Sequence, residues 1–91
     1  MTVEELSNKL RDLGILEDRY YLQGLFGSSN DDEKYAMIIK KGFNSIEYEI
    51  YFKERGEKHS IIVFDNESEA CLFFYKRLKE NKEIEDQYSR E

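Results

Sequence analysis

Asn44-Ser45-Ile46-Glu47-Tyr48-Glu49-Ile50-Tyr51-Phe52 decides the fold. Apolar and polar residues alternate along it, the period-two pattern of a strand with one face in a core. Ile46, Tyr48, Ile50 and Phe52 fall on the core face, and Ser45, Glu47, Glu49 and Tyr51 fall on the other, which the alternation assigns to water. Downstream, Lys53-Glu54-Arg55-Gly56-Glu57 has the composition of a short hairpin loop, with Gly56 at the position that needs positive φ. His59 to Phe64 is then the return strand, and so short a link makes the pair antiparallel. Upstream, Tyr35 to Lys41 reads as a strand that enters the first through a turn at Lys41 and Gly42, and Tyr20 to Gln23 reads as a shorter one. Gly24 to Glu33, rich in Gly, Ser, Asn and Asp, reads as the loop between them.

Helices flank the strands. Thr2 and Glu5 form a capping-box pattern ahead of an apolar stripe of Val3, Leu6, Leu10 and Leu13, whose steps of three and four keep it on one side of a helix. Gly14 supplies a left-handed stop, and Ile15 is placed to fold back on the last turn. Asn66 and Glu69 repeat the cap pattern before a second helix. There Ala70, Cys71, Phe74 and Leu78 share a stripe flanked by Tyr75, while Leu72 falls on the far side with Lys76 and Lys79. From Asn81 the composition shifts to NKEIEDQYSRE, which reads as a frayed helical end or disordered tail. The expected architecture is α+β: a small antiparallel meander of three to four strands with an N-terminal and a C-terminal helix packed on one face. Residues 1–80 form one domain and 81–91 an acidic tail.

Composition narrows the functional classes. The chain has 91 residues, 14 Lys plus Arg against 20 Asp plus Glu, and a net charge of −6. Nucleic-acid affinity depends on cations that displace phosphate counterions, so this balance argues against DNA or RNA as partner. The single cysteine makes no internal disulfide, which favours a reducing compartment, and no apolar run is long enough to span a bilayer; the expectation is a cytoplasmic protein with no membrane contact.

The catalytic inventory is thin, and the expectation is a protein that is not an enzyme and has no catalytic, metal or cofactor-binding residues. His59 lies in a strand with no nucleophile motif around it, and Cys71 lies on an apolar helix stripe, where thiols are inert. Gly24-Leu25-Phe26-Gly27-Ser28-Ser29 lacks the lysine of a phosphate-binding loop and the third glycine of a dinucleotide turn. Asn30 to Glu33 lacks the spacing of alternating oxygen ligands in a calcium loop. What remains is a recognition surface. Glu47, Glu49 and Tyr51 line one strand face, and Asp31, Asp32 and Glu33 enter from the preceding loop, a set suited to steering a basic partner. The simpler reading is that this is the solvated side of a one-layered sheet.

Three segments also carry a resemblance. Leu13-Gly14-Ile15 ends a leucine-rich helix, Glu54-Arg55-Gly56 follows a tyrosine-bearing strand, and Phe64 to Cys71 has the form Phe-x-x-Glu-x-Glu-Ala-Cys. In these the chain resembles a family of small bacterial immunity proteins that accompany polymorphic toxins, including those of contact-dependent growth inhibition. The loop Gly24 to Glu33 is longer than the compact turn of that pattern, so loop contacts do not carry over. The resemblance implies a protein that binds its cognate toxin domain, typically a basic nuclease acting on RNA, tRNA or DNA, and neutralises it by blocking the active site or substrate access. The alternative is an interaction module or adaptor unrelated to toxins.

Overall fold

The computed structural model describes residues 1–88. Helix α1 (Val3–Asp12) begins at Thr2, whose hydroxyl accepts from Glu5 N while the Glu5 carboxylate accepts from Thr2 N, so the capping box forms. It ends at Gly14, φ 81°, where Gly14 N donates to Arg11 O at 2.9 Å and Ile15 N to Leu10 O at 3.1 Å. These two bonds are the Schellman closure, and Ile15 packs against the core beyond it. A 3-10 turn (Glu17–Arg19) leads to strands β1 (Tyr20–Leu22) and β2 (Phe26–Gly27). Strands β3 (Tyr35–Lys41), β4 (Ile46–Glu54) and β5 (Glu57–Phe64) follow, and helix α2 (Glu67–Tyr88) closes the described chain.

The sheet is larger than the alternation alone implies, with five strands in the order β2-β1-β3-β4-β5. It is also mixed rather than purely antiparallel, because β1 and β3 run parallel. The cause lies in the segment expected to be only loop. Gln23 and Gly24 both take positive φ, 54° and 72°, and turn the chain back so that Phe26 and Gly27 pair antiparallel with β1. Residues 23–34 then supply the dozen or so residues that a parallel crossover needs. Gln23 lies past the end of β1, yet it continues the ladder with its side chain. Its amide Nε2 donates to Ile39 O at 3.1 Å, and its Oε1 accepts from Ile39 N at 2.6 Å. The β4–β5 turn is the two-residue kind, with Arg55 at φ 52° and Gly56 at φ 78° between the paired Glu54 and Glu57.

Both helices pack on one face of the sheet. Val3, Leu6 and Leu10 of α1 and Ala70, Cys71, Phe74 and Leu78 of α2 form one cluster with Tyr20, Leu22, Met37 and Ile50. Leu72 is exposed, so the phase of α2 is as its stripe implies. Ile46 departs from the expected core row: it is exposed at the turn end of the sheet, opposite Lys41. The helix α2 opens on Asn66, whose Oδ1 accepts from Glu69 N at 3.0 Å. It runs on through residues 81–88, where Arg19 Nη1 reaches Glu85 Oε1 at 2.5 Å and ties the end of the helix to the 3-10 turn. Residues 89–91, the last of the stretch read as a tail, lie outside the described residues. No helix among the described residues is long and apolar enough to cross a membrane.

Candidate recognition face

The face of the sheet away from the helices holds most of the expected recognition residues. Register sets its layout: Tyr21 lies beside Ala36 and Ala36 beside Tyr51, so a small residue separates two tyrosines across three strands. One step along, Ile38, Glu49 and Val63 form the next row. The alternation assigns this face to water, and here the structure differs. Ala36 is fully buried, Tyr51 is 2 % exposed and Glu49 is 7 % exposed, although no helix lies over them.

Neighbouring side chains supply the cover. Tyr51 OH donates to Asp31 Oδ2 at 2.5 Å, and Lys53 Nζ donates to Asp31 Oδ1 at 3.2 Å, so the loop before β3 is pinned down onto β4. Lys58 Nζ sits 4.5 Å above the centre of the Tyr51 ring and donates to Glu49 Oε2 at 2.9 Å. Lys40 Nζ donates to Glu49 Oε1 at 3.1 Å from the other side. The result is a chain of alternating charge that runs Lys53, Asp31, Tyr51, Lys58, Glu49, Lys40. All three lysine side chains stay partly exposed while their ammonium groups reach these partners.

The electrostatics follow from these partners. The hydrogen bond from Tyr51, with Lys53 beside it, holds the Asp31 carboxyl below its ordinary range. Bonds from Lys58 and Lys40 do the same for Glu49 against the opposing effect of its burial. Burial, reinforced by the Asp31 charge, pushes the Tyr51 hydroxyl up, so it stays a proton donor at any physiological pH.

The remaining predicted residues are placed separately. Asp32 is exposed; its N–H donates to Asn30 Oδ1 at 3.1 Å and its carboxylate lies 4.0 Å from Lys53 Nζ. Glu33 is exposed at φ 55°, and its Oε1 accepts from Arg55 N at 2.8 Å, which joins the loop to the β4–β5 turn. Glu47 is half-buried at the far end of β4, folded under the β3–β4 turn so closely that a methyl on Gly42 would stand 2.7 Å from its Cδ. Asp31, Tyr51 and Glu49 therefore form one connected group. Asp32 and Glu33 edge it, and Glu47 stands apart.

Sequence reasoning missed Lys40, Lys53 and Lys58, without which the group would not hold. The signal was available in the same period of two: once β3 and β4 pair antiparallel, Lys40 shares a face with Glu47 and Glu49. The groups set aside as unreactive are also placed. Cys71 is buried in the core, where desolvation raises its thiol to about 11 and keeps it protonated. His59 is exposed on β5. Gly27, φ 79°, serves packing, since a methyl there would lie 2.7 Å from Cδ2 of the Tyr20 ring. Among the described residues no cluster of three or more His, Cys, Asp or Glu is placed to hold a metal ion.

A cleft of about 480 Å³ opens elsewhere, between the 3-10 turn, the start of β3 and the distal half of α2. Tyr35 and Phe52 form part of its wall in an edge-to-face pair with centroids 4.9 Å apart, and the Arg19–Glu85 ion pair lies in its lining. Comparisons with protein-family models, curated proteins and solved structures find no match to the chain.

Proposed function

We propose that the chain is an immunity protein that works by binding alone: it holds a cognate toxin domain, a basic nuclease acting on RNA, tRNA or DNA, and denies it substrate in the cytoplasm. The segments that carry the resemblance are framework. They close α1, turn β4 into β5 and cap α2. The observation that carries the binding role is the state of the helix-free sheet face. Its tyrosine, carboxylates and lysines are already fixed to one another, so docking there costs little further side-chain entropy. Tyr51, Glu49 and Asp31 shape this face from within, their charges balanced by the lysines, while the exposed carboxylates of Asp32 and Glu33 at its edge meet the basic partner. The net charge of −6 supplies long-range attraction to a basic substrate cleft and raises the association rate.

The test is co-expression with the toxin domain encoded beside this chain, followed by purification. The expected result is rescued growth, a stoichiometric complex and loss of nuclease activity, with an association rate that falls as salt rises. A toxin domain that stays active in excess of this chain would refute the reading. A stable complex with a neighbour that has no toxic activity would favour the adaptor alternative.

A further inference from the structure

Strand β5 ends the sheet, so one of its edges has no strand partner among the described residues. Its two halves differ. From Glu57 to Ser60 the edge is blunted, since Lys58 and His59 are polar and Ser60 takes φ 56° at a register break opposite Tyr51. From Ile61 to Phe64 no residue is charged, and Ile62, Val63 and Phe64 pair regularly with β4. Ile61 and Val63 stand 51 % and 47 % exposed on the helix-free face. A regular, uncharged, aliphatic edge is a template for another strand.

Helix α2 adds a second feature along the same edge. One of its flanks meets α1, where Lys9 Nζ lies 5.9 Å from the centre of the Tyr75 ring. The other lies over β5, where the Phe64 and Phe73 rings are 5.5 Å apart. Steps of four, three and four from Phe73 lead to Arg77, Glu80 and Ile84 on this second flank, and all three are exposed. The Arg77 guanidinium lies 5.3 Å from the Phe73 ring, which fixes it on that side.

We infer that a second copy of this chain docks here, β5 against β5 in antiparallel register about a two-fold axis at Ile62. That register sets Ile61 of each copy against Val63 of the other and keeps the helices of both copies on one side of a continuous sheet. Spacing supports it. Strands in a sheet stand about 4.8 Å apart, and α2 packs over both β4 and β5, so its axis lies about one strand spacing inside the two-fold. The two α2 helices then come to about 10 Å from each other, within the roughly 8–10 Å at which helices pack. Their levels match as well. Two residues back along β5, from Phe64 to Ile62, correspond to about four along α2, from Phe73 to Arg77. Arg77 of each copy therefore lies close to the two-fold axis, beside its own counterpart and within reach of Glu80 of the other copy, with Phe73 and Ile84 to either side. The charge of −6 on each copy opposes association, and salt screens that repulsion.

Sedimentation velocity of the full chain, at concentrations up to roughly 0.1 mM and at low and high salt, tests the inference without any toxin. The expected result is a reversible dimer that tightens with salt. Ile61→Lys places charge in the aliphatic centre of the edge and weakens the dimer by more than about tenfold. Arg77→Glu, at an exposed helix position that spares the fold, sets like charge against Glu80 and weakens it similarly. Phe43→Ser, at the exposed β3–β4 turn, leaves it unchanged. Thermal denaturation checks that each variant is folded. A chain that remains monomeric throughout, or a dimer indifferent to both Ile61→Lys and Arg77→Glu, overturns the inference; the monomeric outcome leaves the edge to a strand from a different protein.

Discussion

Ile50 and Tyr51 are neighbours on β4, point to opposite faces of the sheet and are equally buried at 2 % exposure, yet different physics buries them. Ile50 lies under two helices, in a cluster of Leu, Phe, Ala and Met whose stability comes from removing apolar surface from water. Tyr51 lies under no helix. Its ring is covered by a lysine ammonium, and its hydroxyl is held by a carboxylate from a loop twenty residues earlier in the chain. A one-layered sheet can thus close its open face with long polar side chains, provided every charge among them finds a partner.

Truncation on the helix-covered side should cost the most. Phe74→Ala removes a fully buried ring from the inner cluster and should destabilise by about 3–5 kcal/mol in urea denaturation. The outer side should respond less strongly. Tyr51→Phe keeps the ring and deletes the hydroxyl that satisfies Asp31, and the expected loss is about 1–2 kcal/mol. A loss as large as that of Phe74→Ala would erase the distinction between the two faces.

Acid should separate the faces further. Asp31 and Glu49 have depressed values in the fold, against ordinary values of 3.8 and 4.5. A depressed carboxylate stabilises the fold fully above its ordinary value, and that contribution is lost as the pH falls below it and through the depressed one. The difference in melting temperature between wild type and Tyr51→Phe should therefore be constant from neutral pH to about pH 5 and shrink below about pH 4. The Phe74→Ala difference has no such carboxylate behind it. The smallest effect belongs to Leu72→Ala on the exposed face of α2, expected within about 0.5 kcal/mol of wild type.

What could be read in advance divides along the same line. The inner face depends on local rules. The capping box at Thr2, the Gly14 stop, the stripe Ala70, Cys71, Phe74, Leu78 and the turn at Gly56 each involve residues within a few positions of one another, and all are present in the fold. The outer face depends on pairings between distant residues. Asp31 with Tyr51, Glu49 with Lys58 and Gln23 with Ile39 each need the strand order before they can be seen. The positive φ at Gln23, a residue with a Cβ, gave no composition signal for the β1–β2 turn, so the parallel crossover stayed hidden. Alternation places Glu47, Glu49 and Tyr51 on the correct face but overstates their exposure, because it says where a side chain points and nothing about what lies across it.

The helix-free face is closed by mutual pairing of its polar groups, and the Tyr51–Asp31 bond is the link that brings the loop onto the sheet. A double-mutant cycle on Tyr51→Phe and Asp31→Ala, read by urea denaturation at neutral pH, measures that link directly. The expected coupling is about 1 kcal/mol or more, the double variant being little less stable than the worse single one. Losses that add to within about 0.3 kcal/mol would contradict it, because the two groups would then stabilise the protein independently of each other.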